Sequence, residues 1–345
     1  KAHERGMKVV LDAVYNHTGR EFFAFADILE NGEKSKYRDW YFIDGFPLKS
    51  EWGEIPNFKC FGYYGGMPKL NLKNPEVEKY ITDVACYWIK ECDIDGWRLD
   101  VGDEISHFFW KNFRKAVKAV KKDMLIIGEI WHYAGDFLEG DEWDTVMNYP
   151  FYLNLIDLLA DEKITVSQFV QNLGYLKGRL HKNCYPLMWN LIDSHDTARF
   201  LHLCNDNKKK QHLAAAFQLL LPGMPMIYYG DEYAMPGAND PDCRRGMYWD
   251  EEYQDKEMFE WYKQLLKVRK NHACIVEGEP LEIAARDGEE TIVLTRKNDE
   301  ETLALIFNCS SSARMFNEYA QKYDLLRENP FDGKIEGLDA AVIVL

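Results

Sequence analysis

No apolar run in this chain is long enough to cross a membrane, no two of its cysteines form a C-x-x-C pair, and positive charge is scarce. The most apolar stretch, Leu213–Tyr229, is 17 residues long and is broken by Gln218, Pro222, Gly223 and Pro225. A single spanning helix needs about 20 apolar residues, so a buried helix followed by a buried strand is expected there instead. The eight cysteines (60, 86, 92, 184, 204, 243, 274 and 309) are scattered, which argues against a zinc knuckle, a redox motif or a dense disulfide scaffold. Reduced, mostly buried thiols are expected. Lys and Arg total 42 against 57 Asp and Glu, a formal net charge of −15. That field repels phosphate backbones and anionic lipid, so neither nucleic acid nor membrane is an expected partner. Internal repeats and low-complexity tracts are also missing.

What is present is core material: apolar residues make up 46% of 345 positions and aromatics 14%, too hydrophobic for a disordered chain. Short apolar strands alternate with amphipathic helices. Strands are expected at Lys8–Asp12, Ile94–Asp100, Met124–Glu129, Thr145–Asn148, Leu187–Asp193 and Met224–Tyr229. Asn74-Pro75-Glu76 opens one helix with a cap, a first-turn proline and an acid; another is expected with apolar positions 109, 113, 116, 117 and 120, and others near 151–160, 165–180, 209–221 and 255–271. Such alternation implies a parallel sheet covered by helices. Between His17 and about Asn71 lies a long aromatic, glycine-rich excursion without sustained period, of the length usually reserved for function. Beyond Ala273 the pattern changes to strand runs such as Thr291–Thr295, Leu303–Phe307 and Ala341–Leu345, as in a small antiparallel β domain.

Four segments place acids, an arginine and histidines just past strand ends: Asp12-Ala-Val-Tyr-Asn16-His17, Gly96-Trp-Arg98-Leu-Asp100, Gly128-Glu129-Ile-Trp131-His132 and Asp193-Ser-His195-Asp196. In a parallel barrel that edge is where active sites assemble. One acid after a strand is an ordinary cap; four in order, separated by helices, are not. No His-x-x-x-His pair or ligand cluster of recognised spacing joins His17, His132 and His195 into a metal site.

In order and rough spacing the four segments resemble the signature regions of the α-amylase family of glycoside hydrolases. Met67-Pro-Lys-Leu-Asn71 and Asp240-Pro-Asp-Cys-Arg244-Arg look like markers of its cyclomaltodextrinase, neopullulanase and maltogenic amylase subgroup. The resemblance implies a (β/α)8 TIM barrel spanning residues 1–272, with an inserted domain B at about 18–71, and a C-terminal antiparallel β-sandwich domain at 273–345. It implies Asp100 as nucleophile, Glu129 as general acid/base and Asp196 as the third, transition-state-stabilising carboxylate. His17 and His195 match donors to sugar hydroxyls, Asp12 an acid supporting Arg98, Asp240 and Arg244 donor-sugar contacts, and Trp131 a stacking residue on the acceptor side. A retaining glycosidase needs one carboxylate to trap the anomeric carbon and another to move the proton. Arg98, two residues before Asp100 and on the same strand face, is expected to lower the pKa of Asp100, while burial and neighbouring acids should raise that of Glu129. One or two of Trp52, Phe58, Phe61, Tyr63 and Tyr64 are expected to touch substrate, the rest to form the insertion's own core.

Asn16 matches a calcium ligand of many α-amylases, but the position four after Asp100 is Glu104, as in the subgroup, so no interdomain calcium and no organic cofactor is expected. The family barrel has eight strands and six are counted, so the first two are expected before Lys1, in a longer polypeptide whose subgroup-type N-terminal domain would support a homodimer. The expected substrates are α-1,4-linked glucans: cyclodextrins, pullulan, starch or maltooligosaccharides, with some transfer to sugar acceptors. The alternatives are an oligo-1,6-glucosidase, a general α-amylase, or a non-catalytic glycan-binding relative or inactive fragment. The cytoplasm is the expected compartment.

Overall fold

The structure, a computed structural model, describes residues 1–49 and 55–345; Trp52 lies outside the described residues. Two compact units are formed, Lys1–Ile130 with Ala134–Met147, and Trp131–Tyr133 with Asn148–Leu345.

In the first unit, strands β1 (Val10–Ala13), β2 (Gly96–Leu99), β3 (Leu125–Gly128) and β4 (Thr145–Val146) lie side by side in that order, all parallel. The register sets Asp12 opposite Arg98 and Leu99 opposite Gly128. The insertion holds helix α1 (Phe23–Asn31), which the sequence pattern did not reveal. It has no side-chain cap and a single short buried face of Ala24, Phe25 and Ile28. Phe25 packs on Tyr41 and Phe58 at ring distances of 5.0 and 5.2 Å, so Phe58 belongs to this small core. Helix α2 (Pro75–Cys92) starts where expected, because Asn74 accepts a hydrogen bond from the Glu76 N–H, and it buries Val77, Ile81, Ala85 and Ile89 along one stripe. Helix α3 (His107–Val120) is capped by Ser106 and buries Phe109, Trp110, Phe113 and Val117.

At the start of β2, Asp95 is buried and accepts hydrogen bonds from Val9 N–H, Lys8 and Lys121 and contacts His3. Burial alone would raise its pKa, but these partners hold it well below the usual carboxylate range. A depressed carboxyl contributes stability above its unfolded pKa and loses it as pH falls. Asp95→Asn should therefore cost roughly 1–3 kcal/mol at pH 7, with the gap from wild type narrowing toward pH 3. Urea unfolding at the two pH values checks this.

In the second unit, helix α4 (Tyr149–Leu159) is capped by Asn148, and α5 (Val166–Gly178) opens with a capping box of Thr165 and Gln168. Strands β5 (Trp189–Asn190) and β6 (Met224–Pro225) pair in parallel, and between them lie the short α6 (Phe200–Leu203) and α7 (Lys208–Leu220). Both strands are shorter than their apolar runs suggested. Pro222 and Pro225 offer no N–H to a ladder, and the Asn190 amide bonds instead to the Pro222 carbonyl and to Asn148. Helix α7 is buried on nearly every side, Leu213 to Leu220 included, as its apolar sequence required. Helix α8 (Lys256–Asn271) follows, capped by Asp255. Strands β7 (Glu279–Arg286), β8 (Thr291–Lys297), β9 (Thr302–Asn308), β11 (Tyr323–Asp324), β12 (Asn329–Pro330) and β14 (Asp339–Val344) then build an antiparallel sheet ordered β12-β11-β14-β9-β8-β7, while β10 (Arg314–Met315) pairs with β13 (Lys334–Ile335).

No disulfide joins the eight cysteines, and only Cys204, Cys243 and Cys274 are buried; Cys92 is exposed and the other four are half-buried. The expectation of mostly buried thiols is corrected accordingly, since Cys86 and Cys92 fall off the buried stripe of α2.

Candidate active site

At the C-terminal ends of β1, β2 and β3 the backbone itself fixes the acids. The Asp100 N–H donates to the Ala13 carbonyl (3.1 Å) and the Glu129 N–H to the Leu99 carbonyl (3.0 Å), so the residues that leave the three strands stay in register. Arg98, nearly buried, connects them. Its Nη1 lies 2.9 Å from both Asp12 Oδ1 and Asp100 Oδ1, and its Nη2 lies 2.8 Å from Glu129 Oε2. Its Nε points at Met147 Sδ, 3.5 Å away. One guanidinium thus gathers three carboxylates, two of them on neighbouring nitrogens.

Burial raises the Asp100 pKa, and the negative charges of Glu129 and Asp12 add to it; the Arg98 contact works the other way and does not prevail. The expected lowering by Arg98 is corrected on that ground: desolvation of a mostly covered carboxyl outweighs one shared cation. Glu129 accepts a second hydrogen bond from the Val101 N–H (3.0 Å). Val101 delivers it from a left-handed conformation, φ 47° and ψ 44°, which a β-branched residue adopts only when its surroundings impose it. Behind Glu129 the Trp143 ring lies so close to Gly128 that an added Cβ would meet it at 2.2 Å. The strand can carry no side chain there.

His17 stacks on Phe61 with ring centres 5.2 Å apart and planes 6° apart. Burial lowers its pKa, partly opposed by Glu104 and reinforced by Lys69, so it is neutral at pH 7 and keeps both a donor and an acceptor nitrogen. Next to it the Asn16 amide donates to Glu104 Oε2 (3.1 Å), and the Lys69 ammonium meets the same oxygen at 2.7 Å. The Asn16 Oδ1 atom is buried without a hydrogen-bond partner. It is nonetheless a poor start for calcium, which takes six to eight oxygens: its neighbouring carboxylate is already held by an ammonium, and no group of three His, Cys, Asp or Glu gathers for a metal among the described residues. Lys69, inside the Met67–Asn71 segment, was not singled out from sequence, although its place in that segment was the available signal. Tyr63 is exposed (94%) and Tyr64 half as much.

In the second unit, His195 Nε2 lies 3.1 Å from Asp196 Oδ2. Arg244 ties this pair to Asp240: its Nε donates to the His195 carbonyl (2.9 Å) and meets Asp240 Oδ1 (2.9 Å), and its Nη2 reaches Asp196 Oδ1 (3.4 Å). Trp131 stacks on Tyr149 at 4.0 Å, keeps 40% of its surface exposed, and with Tyr175 and Arg179 lines a cleft of about 360 Å³. The expected residues therefore assemble as Asp12, Arg98, Asp100 and Glu129 in one unit and as His195, Asp196, Asp240 and Arg244 in the other.

Comparison with known proteins identifies the family and the fold. The family profile described as "Alpha amylase, catalytic domain" matches residues 1–253. A cyclomaltodextrinase of Geobacillus thermopakistaniensis (strain MAS1) is 46% identical over 313 residues, 91% of this chain and 53% of the relative. Neopullulanase 2 of Thermoactinomyces vulgaris is 46% identical over 279 residues, 81% and 47% of the two chains. The chain thus spans about half the length of the curated relatives it matches. A solved cyclomaltodextrinase structure superposes with a TM-score of 0.93 at 37% identity, covering 99% of this chain and 61% of that one. With the acids at the strand ends, the parallel β-α alternation and a match over most of its length, the chain belongs to the α-amylase family and has its TIM-barrel fold with a C-terminal antiparallel β domain.

Proposed function

We propose that this chain carries the catalytic residues of a retaining α-glucan hydrolase that cleaves α-1,4 bonds of cyclodextrins, pullulan, starch or maltooligosaccharides and transfers some glycosyl units to sugar acceptors. The observation that carries the reading is the attachment of Asp100 and Glu129 to adjacent nitrogens of Arg98, because a retaining pair must stand close, about 5 to 5.5 Å apart. Asp100 attacks the anomeric carbon as Glu129 gives its proton to the departing oxygen. Glu129, now a carboxylate, takes a proton from water, whose oxygen displaces Asp100. Asp196 stabilises the positive charge that develops between these states, and His17 and His195 hold sugar hydroxyls. Trp131, with one face packed on Tyr149 and much of its surface open, offers an apolar platform on the acceptor side.

The similarity to cyclomaltodextrinase and neopullulanase supports ring-shaped and pullulan-like substrates. No cofactor enters this mechanism; the Lys69 ammonium already neutralises Glu104 beside Asn16. Among the described residues no helix is long and apolar enough to cross a membrane, and eight cysteines without a disulfide fit the reducing cytoplasm. We place the barrel portion at residues 1–272 and the C-terminal β domain at 273–345, and a homodimer belongs to the same reading.

The test is hydrolysis of β-cyclodextrin, pullulan, starch and isomaltose by the complete gene product, with the anomeric configuration of fresh products followed by NMR. Faster cleavage of β-cyclodextrin than of starch, with α-configured products, is expected. Preference for isomaltose would point to an oligo-1,6-glucosidase, and β-configured products would overturn the retaining assignment.

A further inference from the structure

Behind the turn that bears His195 and Asp196, the second unit buries two more acids, Asp193 and Asp231, beside one arginine, Arg199. All three are covered to within 1% of exposure. Asp193 Oδ2 accepts the Phe200 N–H (2.8 Å), and Asp231 Oδ1 accepts Arg199 Nη1 (3.1 Å). The remaining oxygens, Asp193 Oδ1 and Asp231 Oδ2, have no donor, yet the two carboxyl groups face each other within hydrogen-bonding reach.

We propose that Asp193 and Asp231 share one proton, and that this bridged pair, balanced by Arg199, positions the turn carrying His195 and Asp196. The proton turns two unsatisfied acceptors into one O–H···O bond. It also makes the buried set neutral: one guanidinium, one carboxylate, one carboxylic acid. With both acids ionised, an uncompensated charge would sit in the interior, which costs far more than a hydrogen bond is worth.

The neighbours leave that proton in place. Arg199 lies over the rings of Tyr228 and Tyr229, 4.4 and 5.0 Å from the ring centres. From α7, Gln211 donates to the Asp231 carbonyl (3.0 Å) and leaves its carboxyl alone. From α8, Tyr262 presents a buried hydroxyl that stays protonated beside the two acids. Glu232 turns to the Gly230 N–H (2.8 Å), and its negative charge opposes ionisation of Asp231 further. Burial raises the pKa of both acids, and their mutual repulsion raises that of Asp231 more.

The pair sits where it can govern the turn. Asp193 and Phe200, joined by the 2.8 Å bond, bracket residues 194–199. Within them Thr197 Oγ1 accepts the Ser194 N–H (2.9 Å) and Ser194 Oγ accepts the Asp196 N–H (3.2 Å). Loss of the shared proton as pH rises sets two negative charges against each other at the base of this turn, and Asp196 moves with it. These are positioning residues, and their role rests on the proposed catalytic role of Asp196.

The experiment uses Asp193→Asn and Asp231→Asn in the complete gene product, since an amide N–H replaces the proton in either one. Infrared difference spectra (wild type minus variant) at pH 7 should show a protonated-carboxyl C=O band that both variants lack, distinct from that of Glu129, which is common to all three proteins, and in wild type this band should vanish as pH rises. The alkaline limb of the kcat profile on β-cyclodextrin should move up by a pH unit or more in both variants with KM unchanged, whereas Asp231→Ala should lose at least tenfold in kcat at every pH. An identical band in wild type and variants, or an unmoved alkaline limb, overturns the proposal. If the protein turned over no glucan at all, the functional reading would fail, and the infrared band alone would still decide whether the proton is shared.

Discussion

Asp100→Asn is expected to lower kcat/KM on β-cyclodextrin by about 10⁴-fold or more, because removal of a nucleophile that acts together with its partner forfeits most of the chemistry at once. Glu129→Gln should be as damaging on glucans but not on substrates whose leaving group needs no proton. An aryl maltoside with an acidic phenol should regain much of its rate in Glu129→Gln and none in Asp100→Asn. The split separates the roles, since both side chains touch the same guanidinium and each substitution disturbs that contact alike. Near wild-type turnover in either variant on cyclodextrin, or equal recovery of both on the aryl substrate, would sink the assignment.

The second large effect concerns Arg98→Met. It removes the cation beside Asp100 and Glu129, whose side chains keep only 19% and 7% of their surface. Breaking a buried ion pair by deleting one partner costs roughly 3–5 kcal/mol, and that is the expected loss at pH 8. The pH dependence has a definite sign. Without the guanidinium, the lowering that Arg98 exerts on Asp100 is lost and burial raises that carboxyl further above its unfolded value, so the folded variant binds more protons. Its stability is then greatest at low pH and falls as pH rises. Urea unfolding should therefore show a smaller gap between variant and wild type at pH 5 than at pH 8; an equal gap would mean that the arginine contributes packing rather than charge.

How far the sequence could be read depended on the range of the forces involved. The β-α alternation and the cap at Asn74 are local, and they place the start of α2 and the bounds of α5 and α8 within a residue or two. The strand-end acids were legible for the same reason: a strand, a register and a short motif suffice. Helix α1 was not, because its stability comes from Phe25 against Tyr41 and Phe58, contacts of long sequence separation without a cap to announce them. The direction of the Asp100 shift failed because opposite charge is visible in Gly96–Asp100 whereas desolvation is a property of the finished fold. Asp193 and Asp231 stand 38 positions apart, and nothing in either segment reveals that their carboxyl groups face each other.

With the proton on Glu129, the carboxylates of Asp12 and Asp100 still outnumber the single cation of Arg98. A neutral sugar brings nothing to answer them, while a glycosyl centre that turns positive on the way to Asp100 does. Selectivity here begins with charge before shape: among ligands of one outline, a ring bearing a protonated nitrogen at the reacting position is held more tightly than its neutral counterpart. Since Asp100 is largely screened from solvent, ordinary salt does little to erase that preference.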